Sequence, residues 1–228
     1  MLHVVALMLL APLSIYPGHL TFAVAAWAIW ESSWQWWAAL LLLPAAVAAG
    51  VLVQVMVVLQ LRLLLLPGGA HTRPVPVLSR SNSMYMVLFA AATSFFEPLQ
   101  GTSFAAWVWR MLGASVGQHV LLLCPTPKEV DLLSVGSGSV LEPGAAVHAH
   151  SIEGDKFVYA PIELGPCSWL RACCRLMPAS RMGTGACLDV ASVAMKGETL
   201  FPKTEWRGNP AQPVGPSTYS TAARSVQL

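Results

Sequence analysis

Five residues that can move protons or hold charge crowd one short stretch: His148, His150, Glu153, Asp155 and Lys156. An imidazole can accept a proton near neutral pH, and a carboxylate beside it can orient the ring or hold a cationic substrate. The set points to general acid–base chemistry. His150 is the candidate base, with Glu153 or Asp155 as its orienting or amine-holding partner. His148 and Lys156 are candidate substrate contacts. A histidine among acids is also common on a solvated loop without chemistry, and both readings stand at this point. No resident metal or cofactor is expected. His119, His148 and His150 lack a compelling ligand spacing, and the five cysteines (Cys124, Cys167, Cys173, Cys174 and Cys187) contain no C-x-x-C pair. An odd number of thiols suits no disulfide framework, so they read as small buried residues.

The elements that must position this stretch follow from a six-residue period. Leu164, Leu170, Leu176, Met182, Leu188 and Ala194 recur at that spacing. Four residues after the aliphatic positions stand Ser168, Cys174, Ser180, Ala186 and Ser192, all small. Val135, Leu141 and Val147, with Ser139 and Ala145, repeat the pattern upstream, and Val116-Gly117 opens it. Helices need apolar spacings of three and four, and ordinary strands alternate, so neither gives this recurrence. A left-handed parallel β-helix of the hexapeptide-repeat type does. Each hexad forms one side of a triangular coil, its aliphatic residue inside and its small residue at the corner, and about eighteen residues close a coil. The phase slips between Val147 and Leu164, which predicts a loop ejected over His148–Pro161. Such loops are where solenoids usually carry function. Arg171, Arg175 and Arg181 fall at outward positions, as a solvated face or as attractants for a phosphate group.

Composition separates this all-β part from what precedes it. The 228 residues are 55% hydrophobic and 11% charged, with a net charge of +2, which excludes a plain soluble domain, a disordered chain and a binder of nucleic acid through a basic surface. Glu31 is the one charged residue from Met1 to Leu61. Two membrane helices are expected in residues 1–66: Val5–Trp30, kinked near Pro17, and Trp36–Leu61. Trp27, Trp30, Trp34, Trp36 and Trp37 mark a membrane surface at the turn between them. Arg62, Arg73 and Arg80 then put the following segment, and the β-helix, on the cytoplasmic side. Residues 67–112 read as a connector, with Pro67–Ser83 a loop and Met84–Phe96 an interfacial helix. Residues 113–212 are the expected β-helix domain, and Pro213–Leu228 a disordered tail.

Four segments carry a family resemblance. They are Pro98–Gly117 (PLQGTSFAAWVWRMLGASVG), Asp131–Val140 (DLLSVGSGSV), Val193–Glu198 (VAMKGE) and Trp206–Ala211 (WRGNPA). Together they resemble the C-terminal membrane region of non-ribosomal peptide synthetase-like enzymes of the ε-poly-lysine synthetase type, over roughly Val51 to Pro213. That region alternates membrane helices with hexapeptide-transferase-like domains. The resemblance implies a membrane-bound acyl or aminoacyl transferase module. It would form amides from a phosphopantetheine-linked or CoA thioester supplied with a carrier protein or adenylation module. It also implies that His150-Ser-Ile-Glu153-Gly-Asp155-Lys156 corresponds to the family's His-x-x-Glu-Asp-basic loop with Gly154 inserted, and that Asp131 and Lys196 fall at family positions. This chain shows one β-helix module and no adenylation or carrier-serine motif. A terminal fragment, a split subunit or a degenerate paralogue is therefore expected. A non-catalytic membrane scaffold, with a trimer of such modules as its expected assembly, is the alternative.

Overall fold

A computed structural model of the chain describes residues 17–31, 36–65, 74–77, 79, 82 and 99–217. The chain divides into two compact units, Met1–Pro67 with Ser83–Phe95, and Gly68–Asn82 with Phe96–Leu228.

In the first unit, helix α1 spans Pro17–Glu31 and α2 spans Trp36–Leu65. Proline at the first position of α1 loses nothing, because that amide has no intrahelical acceptor. On α2, Ala46, Gly50, Gln54 and Val58 are buried at four-residue spacing, which marks a single inward stripe. Leu52, Met56 and Leu63 are exposed on its other side, as are Leu20, Val24, Trp27 and Trp30 of α1. Pro44–Leu63 is a stretch of 20 residues long and apolar enough, by length and composition, to cross a membrane. Of the expected first span, the part from Pro17 is helical. Residues 5–16, the turn at 32–35 and Met84–Phe96 lie outside the described residues.

The second unit is built of two-residue and three-residue strands that visit three sheets in rotation. The first sheet collects β2 (Ser115–Val116), β4 (Leu133–Val135), β9 (Ile162–Leu164), β12 (Arg181–Met182) and β15 (Thr199–Leu200). The second collects β3 (Leu121–Leu122), β5 (Val140–Leu141), β10 (Trp169–Leu170), β13 (Cys187–Leu188) and β16 (Thr204–Gly208). The third holds β6 (Ala146–Val147), β11 (Arg175–Leu176) and β14 (Val193–Ala194). Successive neighbours within each sheet pair in parallel, Leu170 with Leu188 and Leu164 with Met182, eighteen residues apart. Parallel pairing at that step is what the hexad period demands. The aliphatic position of each hexad points inward: Leu141, Leu170, Leu176, Leu188 and Leu200 are fully buried. The small position turns the corner, and Ser139, Ser168, Ser180 and Ser192 are buried there.

Two kinds of residue make the corners possible. The residue before each small position adopts a positive φ, as at Gly138 and Gly185 but also at Cys167, Cys173, Ala179 and Ala191. A second set of glycines lets neighbouring coils touch. A Cβ added at Gly165 would lie 2.8 Å from the Thr184 amide nitrogen, and one at Gly136 would lie 2.4 Å from the Pro166 nitrogen.

Both ends of the stack are covered. At the start, α3 (Ser103–Leu112) buries Ala105, Ala106, Val108, Trp109 and Leu112 and ends at Gly113, whose φ of 106° and amide N–H, donating to the Arg110 carbonyl, make a left-handed cap. At the other end, β16 turns back into antiparallel β17 (Ala211–Pro216), and Trp206 fills the last interior position. This corrects two expected boundaries. Pro213–Pro216 is strand and Ser217 is buried, so no disordered tail begins at Pro213. The compact unit is also wider than 113–212, consisting of Gly68–Asn82 with Phe96–Leu228. Antiparallel pairing after the cis Asn209-Pro210 bond gives those tail residues partners.

Candidate active site

The rotation of strands is interrupted between the third sheet and the first. Val147 pairs with Leu176, 29 residues on, which is eleven more than one coil. The extra residues leave the solenoid as an antiparallel hairpin, β7 (His150–Glu153) and β8 (Lys156–Tyr159), turning at Gly154-Asp155. The hairpin is the ejected loop that the phase slip predicts. A second slip lies upstream, where Val116 pairs with Val135, 19 residues on. There the third face has no strand. Residues 124–129 and a short 3-10 turn, Val130–Leu132, take its place.

Register decides which side chains meet. Strand residues alternate between faces, and His150 pairs with Tyr159 while Ile152 pairs with Phe157. These four share one face. The His150 ring lies 5.2 Å from Phe157 and 6.3 Å from Tyr159, centroid to centroid, and Phe157 stacks on Tyr159 at 6.0 Å. Glu153 is three residues from His150, an odd step, and so stands on the opposite face. Its carboxylate pairs with Lys196 and accepts a hydrogen bond from the Ser151 hydroxyl at 3.0 Å. Lys196, followed by Ser151, holds the Glu153 carboxyl below its ordinary range. Asp155 sits exposed in the turn, and Lys156 is exposed beside it. The expectation that Glu153 or Asp155 orients His150 is therefore corrected: strand parity carries Glu153 away from the ring, and the turn carries Asp155 beyond it.

The acid that reaches the ring is Glu129, from the segment that replaces the missing strand. Its Oε1 lies 3.0 Å from His150 Nδ1, with 4% of the Glu129 side chain and 16% of the His150 side chain exposed. The approach lacks hydrogen-bond geometry at Nδ1. A buried carboxylate this close to Nδ1 stands where a partner that orients the ring would stand. His148 meets His150 edge to face at 6.0 Å, and its backbone amide donates to the Leu176 carbonyl at 3.0 Å. Burial holds the His148 imidazole below its ordinary pKa of 6.5, aided by the charges of His150, Arg175 and Lys128 and opposed by Glu129. Burial pushes the Tyr159 phenol up to about 12, with Glu129 adding to it.

Other candidates are accounted for elsewhere. Burial raises the thiols of Cys124 and Cys187 to about 12 and that of Cys174 to about 11, so none of the three is a nucleophile at neutral pH. Cys173 is exposed. Arg171 pairs with the buried carboxylate of Asp189 at 2.7 Å, and Arg207 pairs with its other oxygen. Burial alone would raise the Asp189 carboxyl, but the Val190 amide, Arg207 and Arg171 outweigh it and hold the carboxyl low. Arg181 lies 3.6 Å from Glu163 on the surface. Among the described residues, no group of three or more His, Cys, Asp or Glu side chains could hold a metal ion.

No protein-family model and no curated protein matches the chain. Solved structures similar to it include a hexapeptide-repeat acetyltransferase from Vibrio cholerae, at 12% identity and a TM-score of 0.44 over 56% of this chain and 90% of that one. A maltose O-acetyltransferase from Clostridium difficile is similar at 13% identity and a TM-score of 0.48, over 64% of this chain and 93% of that one. An N-acyltransferase from Bacillus cereus, solved with a dTDP-linked amino sugar and coenzyme A, is similar at 13% identity and a TM-score of 0.39, over 50% of this chain and 66% of that one. At such identities the chemistry has to be read from the chain's own residues.

Proposed function

We propose that the chain is a membrane-anchored acyl or aminoacyl transferase module, wound as a left-handed β-helix, that forms amides from thioester donors. The observation that carries this reading is the buried Glu129 against Nδ1 of His150, on a hairpin that the repeat ejects. A base so oriented presents Nε2 to an attacking amine. The amine nitrogen bonds to the thioester carbonyl carbon, its proton passes to His150 Nε2, and Glu129 stabilises the imidazolium. The carbon–sulfur bond then breaks, and the leaving thiolate takes the proton back. A CoA or phosphopantetheine-linked thioester is the donor in this reading. Neutral His148 lines the base, exposed Lys156 offers a cation to an anionic donor group, and Asp155 rather than the Lys196-paired Glu153 receives the amine. Helix α2 is the anchor, with the β-helix in the cytoplasm and a carrier domain as partner. Within this reading the module belongs to a poly-amino-acid synthetase-like system, as the sequence resemblance implies.

The test uses the full chain in lipid nanodiscs, with acetyl-CoA and carrier-bound aminoacyl thioesters as donors and lysine as acceptor. Amide product is read by mass spectrometry. His150→Ala is expected to lower turnover by about 100-fold or more, the usual contribution of a positioned base. Glu129→Gln is expected to lower it by about tenfold, because the ring stays but its tautomer is no longer held. Unchanged turnover in His150→Ala would remove the mechanism and favour a non-catalytic scaffold.

A further inference from the structure

The hairpin that carries His150 is not completed by the solenoid. Its outer strand β8 takes a second partner, β1 (Val75–Pro76), which runs antiparallel with Val75 opposite Phe157 and Pro76 opposite Lys156. The Val77 amide then donates to the Asp155 carbonyl at 2.9 Å. Asn82 links this edge to the aromatic wall of the site. Its Nδ2 donates to the Val77 carbonyl at 2.7 Å, and its Oδ1 accepts the Tyr159 hydroxyl proton at 3.2 Å. Its own backbone amide donates to Ser79 Oγ at 3.2 Å. One side chain therefore joins the strand that frames the hairpin to the residue directly opposite His150.

We propose that Asn82, held by β1, is a positioning residue for the reaction: it fixes Tyr159 and, through Tyr159 and Phe157, the His150 ring against Glu129. The inference rests on His150 being the base. Physical reasons favour it. A two-stranded hairpin is marginal by itself, and a third strand is what ordinarily fixes one. Pro76 has no amide proton to donate, so β1 suits an edge and leaves its own far side unextended. A buried tyrosine hydroxyl needs a partner, and Asn82 supplies the acceptor. A ring free to shift by an ångström loses much of its rate contribution. The connector that follows α2 in the chain would thus furnish part of the catalytic framework rather than a plain tether.

The test compares four full-length chains in nanodiscs with acetyl-CoA and lysine: Asn82→Ala, Tyr159→Phe, the double variant and His150→Ala. Asn82→Ala and Tyr159→Phe are each expected to lower kcat about tenfold with KM within about twofold. The double variant is expected to fall no further than either one, because both remove the same link. Assays run well below each variant's melting temperature, so loss of stability alone does not move kcat. Wild-type kcat in Asn82→Ala, with His150→Ala inactive, would overturn the positioning role and leave the base intact. Multiplying losses in the double variant would overturn coupling through Tyr159. Full activity in His150→Ala would overturn the reading of the site itself.

Discussion

His148 is half-buried next to groups of both signs. Its imidazole gains protons less readily than in the unfolded chain, since burial and then His150, Arg175 and Lys128 disfavour the cation more than Glu129 favours it. The linkage has one sign. The unfolded chain takes up this proton first as the pH falls below about 6.5, so stability present at neutral pH is lost on acidification toward the lower folded value. Thermal melts from pH 7.5 to 5 should show the loss, and His148→Gln should flatten that part of the profile. An equal slope in the variant would place the pH dependence on other groups. At this scale the sequence led to His150 but not to Glu129, the carboxylate that lies against it. His150 stood out because it lies in a polar break of a regular repeat. Glu129 did not, because 21 residues separate it from His150 and the link is made by stacking of coils. The signal that could have found it was the 19-residue step from Val116 to Val135.

Single coils have little room for change, and the glycines show where. Gly165 faces the backbone of the next coil, where an added Cβ would stand 2.8 Å from the Thr184 nitrogen and 2.9 Å from the Met182 carbonyl oxygen. Backbone atoms on both sides cannot swing away as a side chain could. Gly165→Ala is therefore expected to destabilise the β-helix by about 3 kcal/mol, in the range of overpacked cores, read by chemical denaturation. Gly197→Ala is the informative companion. Nothing lies within 4 Å of its added Cβ, so only its φ of +74° is penalised. The loss there should be about 1 kcal/mol. Equal losses at the two sites would mean that coil contact is not the cause at Gly165. The coils themselves were legible because aliphatic and small residues at fixed spacing have one common physical solution. The hairpin was legible only as a break in phase. Its pairing with Val75–Pro76 was not, since two residues bounded by a Pro/Gly-rich loop carry no periodicity.

The whole molecule joins two units that place their apolar residues differently. The first exposes Leu52, Met56 and Leu63 from a helix containing the 20-residue apolar stretch, while the second hides its leucines inside coils. If α2 anchors the chain with the β-helix in the cytoplasm, exposed Cys173 reports the side directly. A membrane-impermeant maleimide should leave Cys173 unlabelled in intact cells and label it after the membrane is opened, with Cys173→Ser removing the signal. Labelling of intact cells would place the β-helix outside. Composition could not have made this distinction, because lipid-facing helices and coil interiors draw on the same aliphatic residues.

The eighteen-residue step also makes the solenoid a ruler. Each parallel rung adds about 4.8 Å of height, whatever its outward residues are. The hairpin leaves between β6 and β9, so the rungs that follow β9 set the distance from His150 to the closing turn at Asn209-Pro210. Whole coils could be inserted or lost there in evolution, or by design, and every inward leucine would still face inward. A partner gripping the far end would be moved by one rung at a time, while His150 on the hairpin kept its address.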